Sequence, residues 1–216
     1  MSLPLPPPCH LPLPSPAGTP FCNTDAHRIA GRHVNCSRLV LSELAAAHPD
    51  LLNVSITERF TWRGRSWAPL EGPFTSRADH AQYQMLINLD GYAASWRFSW
   101  LLAANSLVLK QESAFLQYFY GSAKPCVHYL PFWREREEDV LDVVSAALRD
   151  QAAAQAVAAN AQAFAAKYLH EEAKFRYWEE TLRRYDALMR RPAAPTPAEG
   201  AGAAAAAGPE PAAAGA

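Results

Sequence analysis

The chain lacks an excess of charge of either sign: its 216 residues carry 20 basic and 21 acidic side chains, for a net charge of −1. A dedicated nucleic-acid binder would show a basic excess, so the composition excludes that class of protein. Long hydrophobic runs are also missing, because no stretch approaches the roughly 18 apolar residues that a membrane span needs. The first residues have neither the basic region nor the unbroken apolar run of a signal peptide.

Motifs for metals and phosphate loops are absent as well. The sequence contains no D-x-D pair, no H-E-x-x-H, no G-x-S-x-G and no G-x-x-x-x-G-K-[ST]. Its four cysteines (Cys9, Cys22, Cys36 and Cys126) form no C-x-x-C pair, so they predict free thiols rather than a zinc site, with one disulfide left open. We expect no metal and no cofactor.

Proline is scarce between the two ends of the chain. Eight of the 18 prolines lie in residues 1–20 and five in residues 192–216, which leaves five for the 171 residues between them. Proline removes backbone donors and clashes with a preceding helical turn, so we expect both ends to be disordered. Residues 21–191 have the length of one domain with its own core.

Residues 82–132 predict an α/β fold with a parallel sheet. Apolar runs of strand length occupy Tyr83–Leu89, Ser106–Lys110 and Val127–Pro131, and the stretches Ala93–Ala104 and Ala114–Tyr120 between them suit helices. This β-α-β-α-β order favours parallel strands with helices on the sheet faces. A hairpin at Asp90-Gly91 is the alternative, but the residues after Gly91 alternate poorly.

The flanking segments carry weaker signals. Arg38–Ala47 predicts a short helix, Leu51–Ile56 a strand and Thr61–Asp79 a loop. Everything after Glu135 reads as helix, with three apolar stripes that we interpret as core packing. The last stripe comprises Phe175, Trp178, Leu182, Tyr185 and Met189.

Asp90–Arg97 (DGYAASWR) is the first candidate for a ligand site. In an open parallel sheet, ligands bind beyond the carboxyl ends of the strands, and the first turn of the next helix offers N–H groups to phosphate. Gly91 allows close backbone approach, Ser95 brings a hydroxyl, and Arg97, about one turn into the predicted helix, can fork onto a diphosphate. The alternative is that Gly91 is only a turn residue and Arg97 only a surface charge.

Gly31–Arg38 (GRHVNCSR) is the second candidate. It opens the predicted helix at Arg38 and places Arg32 and Arg38 near the positive end of that helix. Cations are unfavourable there by the helix dipole alone. An anionic ligand would relieve the repulsion, although solvent would too.

Taken together, these motifs resemble the protein O-glucosyltransferase family. The string INLDG, the Ala-rich turn that ends in Trp96-Arg97-Phe98, the following SLVLKQ and the later KP-x-x-HY-x-P carry the resemblance. Weaker similarity extends from about Gly31 to about Met189. Here Arg32 replaces a usual small residue of the family, and Cys126 replaces a usual Trp.

The resemblance implies a Rossmann-like three-layer domain with a parallel sheet and C-terminal helices, one half of a GT-B-type glycosyltransferase. It implies a UDP-glucose or UDP-xylose donor and, as acceptor, a Ser hydroxyl on a protein or a glycan hydroxyl. The secretory pathway or the endoplasmic reticulum lumen is the implied location, although the chain shows no retention signal. The positions that match the family's donor site are Gly31, Arg38, Gly91, Tyr92, Ala93, Ala94, Ser95, Trp96 and Arg97.

The resemblance also implies a missing part. Family members carry a first half with the acceptor groove and a catalytic aspartate, and no residue of this chain matches that base. We therefore expect a donor-binding fragment whose catalytic residues are unknown, with a catalytically inactive nucleotide-sugar-binding module as the alternative.

Overall fold

The structure is a computed structural model. It describes residues 36–56, 72 and 75–190, together with the backbone of four two-residue strands. Those strands pair as two antiparallel hairpins: β1 (Arg28–Ile29) with β2 (Arg32–His33), and β3 (Thr61–Trp62) with β4 (Arg65–Ser66). The predicted disordered ends, residues 1–20 and 192–216, lie outside the described residues.

A three-stranded parallel sheet forms the centre of the fold. Its strands β5 (Met85–Asn88), β6 (Leu107–Gln111) and β7 (Leu130–Phe132) lie in the order β5-β6-β7. The three predicted strands and their parallel pairing are therefore confirmed, and the alternative hairpin at Asp90-Gly91 is wrong. All residues of β5 and β6 are buried, as expected for apolar strands covered on both faces.

Helices cover both faces of this sheet. Ile87 and Leu109 face one apolar cluster with side chains of α1 (Ser37–Ala47) and α4 (Asp139–Arg149). Leu86 and Val108, one residue away along each strand, face a second cluster with α3 (Phe98–Leu101) and α5 (Gln151–Tyr168). This alternation follows the two-residue period of a strand, and the arrangement is consistent with a Rossmann-like domain.

In the central block, one predicted helix is confirmed only in part and the other is wrong. Within Ala93–Ala104 only α3 is helical, and Ala114–Tyr120 contains turns and no helix. Tertiary contacts override local propensity here: the ring of Phe119 packs at 5.8 Å from that of Phe98, and the Gln117 side chain donates to the Ser95 carbonyl.

The predictions for the flanking segments met mixed outcomes. The helix at Arg38–Ala47 is confirmed as α1, which ends before Pro49. The strand at Leu51–Ile56 is wrong, since only Ile56 forms a β-bridge. The predicted loop at Thr61–Asp79 is wrong in part, because it contains β3, β4 and the short helix α2 (Arg77–His80).

The helical C-terminal region is confirmed, although its last apolar stripe is not buried. The chain divides between Lys174 and Phe175 into two compact units, and the second begins inside α6 (Glu171–Met189). No side chain of α6 is buried, so core packing is the wrong interpretation of its stripe. Ion pairs one turn apart, such as Glu179 with Arg183, give this helix local support instead.

Cysteine chemistry differs at two described positions. Cys126 is a free thiol, as predicted. Cys36 is disulfide-bonded, so the alternative of one disulfide, which the sequence left open, applies at Cys36 in place of a free thiol. Among the helices that the structure describes, none has the length and apolar character needed to cross a bilayer.

Candidate functional site

The candidate site is organised by Asp90, which follows the carboxyl end of β5 and is 1% exposed. Its backbone N–H donates to Gln111 Oε1 at 3.1 Å, and its carbonyl accepts a bond from Arg38 Nε at 3.2 Å. Its carboxylate Oδ1 accepts the N–H of Ser95 at 2.8 Å. Asp90 thus joins β6, α1 and its own following turn.

The turn that follows is a bend, residues 91–94, and the prediction of a helix opening at Gly91–Ala94 is wrong. The Gly91 N–H donates back to the Ala93 carbonyl at 3.1 Å, and the Asp90 carboxylate spans the bend to Ser95. A hydrogen bond from a backbone N–H to a nearby aspartate side chain competes with the backbone hydrogen bonds of a helix. The amides of the bend are therefore arranged by Asp90 and not by a helix terminus.

Two exposed aromatic side chains lie within this bend and just after it. Tyr92 is 64% exposed and Trp96 is 63% exposed. The guanidinium of Arg77, on α2, lies 5.1 Å from the centre of the Trp96 ring and 5.6 Å from that of Trp100. Such cation–π contacts favour one orientation of the exposed Trp96 indole.

Arg97 and Arg38 approach the bend from different elements. Arg97 is the N-cap of α3, not a residue one turn into a helix as predicted. Arg38 is the second residue of α1 and is 9% exposed, with its Nε held by the Asp90 carbonyl. The structure therefore brings together two arginines that are 59 positions apart in sequence.

The electrostatics of the two arginines show that they share one environment. Burial lowers the pKa of Arg38 to about 10, with a further contribution from repulsion by Arg97, against the opposing attraction of Asp90. Burial also lowers the pKa of Arg97. Within the described part of the chain, the Arg97 guanidinium makes no hydrogen bond or ion pair. Partly buried positive charge of this kind is relieved when an anion binds.

A third cation, Lys110, lies next to Asn88 across the parallel register of β5 and β6. It is 6% exposed and donates to the Gln111 carbonyl at 3.1 Å. Its ammonium lies 4.7 Å from the centre of the Tyr120 ring, within a group of aromatic rings. Burial lowers the pKa of Lys110, while the charges of Asp90 and Glu112 oppose that shift.

Three polar atoms beside these cations are buried and, within the described residues, have no hydrogen-bond partner. They are Asn88 Oδ1, the second Asp90 oxygen Oδ2 and the Tyr120 hydroxyl. Burial, and then the charge of Asp90, raises the pKa of that Tyr120 hydroxyl. Buried polar groups are normally satisfied, so the site retains hydrogen-bonding capacity that its own side chains do not use.

Sequence reasoning found part of this site. Gly91–Arg97 and Arg38 come together as predicted positions, whereas Gly31 lies outside the described residues. Lys110 lies outside the predicted site, and Asp90, although it begins the predicted range Asp90–Arg97, has no role of its own in that prediction. The available signal was a charged residue at the end of an apolar run, in both INLD and SLVLK.

The described surface also has a cavity that none of the predicted site residues lines. This cavity, of about 650 Å³, lies between α3 and α5 and is lined by Trp100, Ala103 and Ala163 among others. Among the described residues, no group of three or more His, Cys, Asp or Glu side chains could hold a metal ion.

Comparison with known proteins connects this geometry to a family. Residues 29–205 match the family model of glycosyl transferase family 90. The chain is 33% identical over 131 residues to protein O-glucosyltransferase 2 of Danio rerio, covering 59% of this chain and 26% of that protein. It is also 33% identical over 128 residues to protein O-glucosyltransferase 3 of Mus musculus, covering 59% of this chain and 25% of that protein.

A more distant relative gives the same picture. The chain is 28% identical over 132 residues to O-glucosyltransferase rumi of Drosophila melanogaster, covering 59% of this chain and 32% of that protein. The chain therefore spans about a quarter to a third of the length of these curated relatives. The resemblance inferred from the INLDG and SLVLKQ motifs is confirmed, and the chain belongs to glycosyl transferase family 90.

Proposed function

We propose that this chain is the donor-binding part of a glycosyltransferase that moves glucose or xylose from a UDP-sugar to a protein Ser or a glycan hydroxyl. The family match and the O-glucosyltransferase names of its relatives support glycosyl transfer. One observation supports the position of the donor: beyond the carboxyl end of β5, the half-buried Arg97 lies close enough to the buried Arg38 to lower its pKa by charge repulsion.

In this proposal the two guanidiniums bind the diphosphate of the donor. A guanidinium forms paired, charge-assisted hydrogen bonds with phosphate oxygens, and partial burial strengthens them because water screens less. When the sugar leaves the donor, negative charge grows on the UDP leaving group. Cations already fixed in place stabilise that charge without reorganising, which lowers the barrier to transfer.

The bend supplies the remaining donor contacts. Amides of Ala93 and Ala94 lie in the stretch that Asp90 spans, where a backbone N–H can donate to a phosphate oxygen. The exposed rings of Tyr92 and Trp96 offer apolar faces on which a uracil or sugar ring can stack. Tyr92 lies within the bend and Trp96 two residues after it, which supports a position for such a ring beside the proposed diphosphate site.

We also propose that the protein acts in the secretory pathway or the endoplasmic reticulum lumen. The disulfide at Cys36 supports this, because disulfides persist in oxidising compartments. No residue is assigned as the catalytic base.

A titration of UDP into the 216-residue chain, followed by tryptophan fluorescence, tests the donor site. Trp96 lies just after the bend and Trp100 in α3, so a bound nucleotide should change their emission. We expect saturable binding for the wild type and roughly 100-fold weaker binding for Arg97→Ala, because a charge-assisted phosphate contact is lost. UMP, with one phosphate fewer, should bind more weakly than UDP.

Arg149→Ala is the matched control, since Arg149 is exposed at the end of α4 and its loss should leave UDP affinity unchanged. Absence of saturable binding, or equal affinity in Arg97→Ala and the wild type, would contradict the proposed donor site.

The second candidate function is a nucleotide-sugar-binding module without catalysis. Detectable transfer of radiolabelled glucose from UDP-glucose to a cysteine-rich acceptor domain would exclude the module, whereas UDP binding without transfer is expected both for the module and for a donor-binding part acting alone.

A further inference from the structure

Asp90 does more than any other described residue to connect the parts of the candidate site. Its backbone N–H is bonded to Gln111 on β6, its carbonyl to Arg38 on α1, and its carboxylate to the amide of Ser95. Ser95 is fixed a second time, because its carbonyl accepts a bond from the Gln117 side chain at 2.8 Å. The bend at 91–94 is thus closed by one side-chain hydrogen bond between two buried residues.

We infer that Asp90 is the positioning residue of this site: its carboxylate holds the 91–94 bend closed, and its carbonyl holds Arg38 beside Arg97, so that both guanidiniums face one anion. The inference rests on the proposed function for the identity of that anion, a nucleoside diphosphate. It does not depend on the proposed function for the order of the bend in the free protein.

The Asp90 carboxylate has two separable properties, an acceptor oxygen and a negative charge. The acceptor oxygen is needed because the Ser95 amide is buried and would otherwise be unsatisfied. The negative charge attracts Arg38 and Lys110 in the free protein, but it repels a bound diphosphate. Loss of the acceptor and loss of the charge should therefore change anion affinity in opposite directions.

Two substitutions separate these properties. Asp90→Ala removes both, so the bend opens and we expect UDP to bind roughly 10-fold more weakly than to the wild type. Asp90→Asn keeps an oxygen for the Ser95 amide and removes the charge. We expect its UDP affinity to equal or exceed that of the wild type by about threefold, because the repulsion of the diphosphate is gone.

Hydrogen exchange of the Ser95 amide, measured without ligand, tests the bend directly. We expect this amide to be protected in the wild type and in Asp90→Asn, and to exchange at least about 10-fold faster in Asp90→Ala. Asp142→Ala is the matched control, because Asp142 is an exposed carboxylate on α4 paired with Arg136, and neither readout should change.

UDP binding tests the proposed function, and exchange of the Ser95 amide tests the positioning role of Asp90. If the wild type binds no UDP, the proposed function fails, and the Ser95 exchange rates alone decide the positioning role. Equal Ser95 exchange in Asp90→Ala and the wild type would overturn the inference. So would an Asp90→Asn variant that loses both Ser95 protection and UDP affinity; if Asp90→Ala does not fold, this second variant decides.

Discussion

In the turns after β5 and β7, an aspartate carboxylate accepts hydrogen bonds from backbone N–H groups, but the number of bonds differs. After β7, the Asp139 carboxylate accepts backbone N–H groups from Trp133, Arg134 and Glu135, and engages both of its oxygens in doing so. After β5, the Asp90 carboxylate accepts one amide, and its second oxygen has no partner in the described part of the protein. Both oxygens of Asp139 therefore accept hydrogen bonds, whereas one oxygen of Asp90 accepts none within the described residues.

The two carboxylates also differ in burial and in the charges around them. Asp139 begins α4, where a negative charge is favoured by the helix dipole, and the side chains of Arg134 and Glu135 are exposed to water. Asp90 is buried beside Arg38 and Lys110, and Arg97 lies near Arg38. A carboxylate whose two oxygens are both bonded stabilises a fold, while one that keeps an unbonded oxygen beside cations can still accept a hydrogen bond from a donor group, such as a hydroxyl.

Asp139→Ala should produce the largest effect on stability. Three amides lose their acceptor, and only those exposed to water regain one, so we expect a loss of roughly 3 kcal/mol in the free energy of unfolding. Urea denaturation measures the change. UDP affinity of the folded variant should remain that of the wild type, and a large loss of affinity would show that the two turns are not independent.

Arg38→Lys should give an intermediate effect that depends on pH. With a pKa of about 10, Arg38 stays charged at neutral pH, so wild-type UDP affinity should be constant between about pH 7.5 and 9. The introduced lysine starts from an ordinary pKa of about 10.4 and meets the same burial and the same repulsion by Arg97, so it loses its proton within this range.

We therefore expect the UDP affinity of Arg38→Lys to fall as pH rises, by about tenfold across the range. Titrations at matched ionic strength measure it, with Arg149→Lys as the control. A flat profile for Arg38→Lys would mean that position 38 is not in the environment described here.

Lys110→Met should have the smallest effect. Methionine fills the space among the aromatic rings and removes a buried charge, so we expect the free energy of unfolding to change by less than about 1 kcal/mol. UDP affinity should fall only about threefold, because the ammonium bonds the Gln111 carbonyl and contributes at longer range. A loss as large as that of Arg97→Ala would place Lys110 in direct contact with the ligand.

The sheet could be predicted from the sequence because burial on both faces leaves a strong local signal. Runs such as YQMLINL contain little but apolar residues, and their length fits a strand. The same kind of signal gave a wrong prediction for α6. Phe175 and Leu182 have the spacing of core residues, but they are 66% and 63% exposed. Periodicity reports that a helix has an apolar side, not that another element covers it.

The site was only half predictable because its contacts are non-local. Gly91 and Arg97 lie within one short motif, whereas Arg38 reaches Asp90 from 52 positions away. The helix predicted over Ala93–Ala104 is shorter than expected for the same reason. Alanine favours a helix, but a single bond from the Ser95 amide to Asp90 ties the chain into a bend, which propensity does not register.

Trp133, in the turn after β7, limits how this part of the sequence can change. Its φ of 61° lies in the left-handed region, which glycine adopts freely and bulky residues rarely do. Yet its ring is 1% exposed, and its indole N–H donates to the Glu137 carbonyl. Glycine at this position would relieve the backbone strain but leave a cavity in the core. Any other aromatic residue would keep the strain and lose the hydrogen bond of the indole. We therefore expect almost every substitution of Trp133 to destabilise the protein.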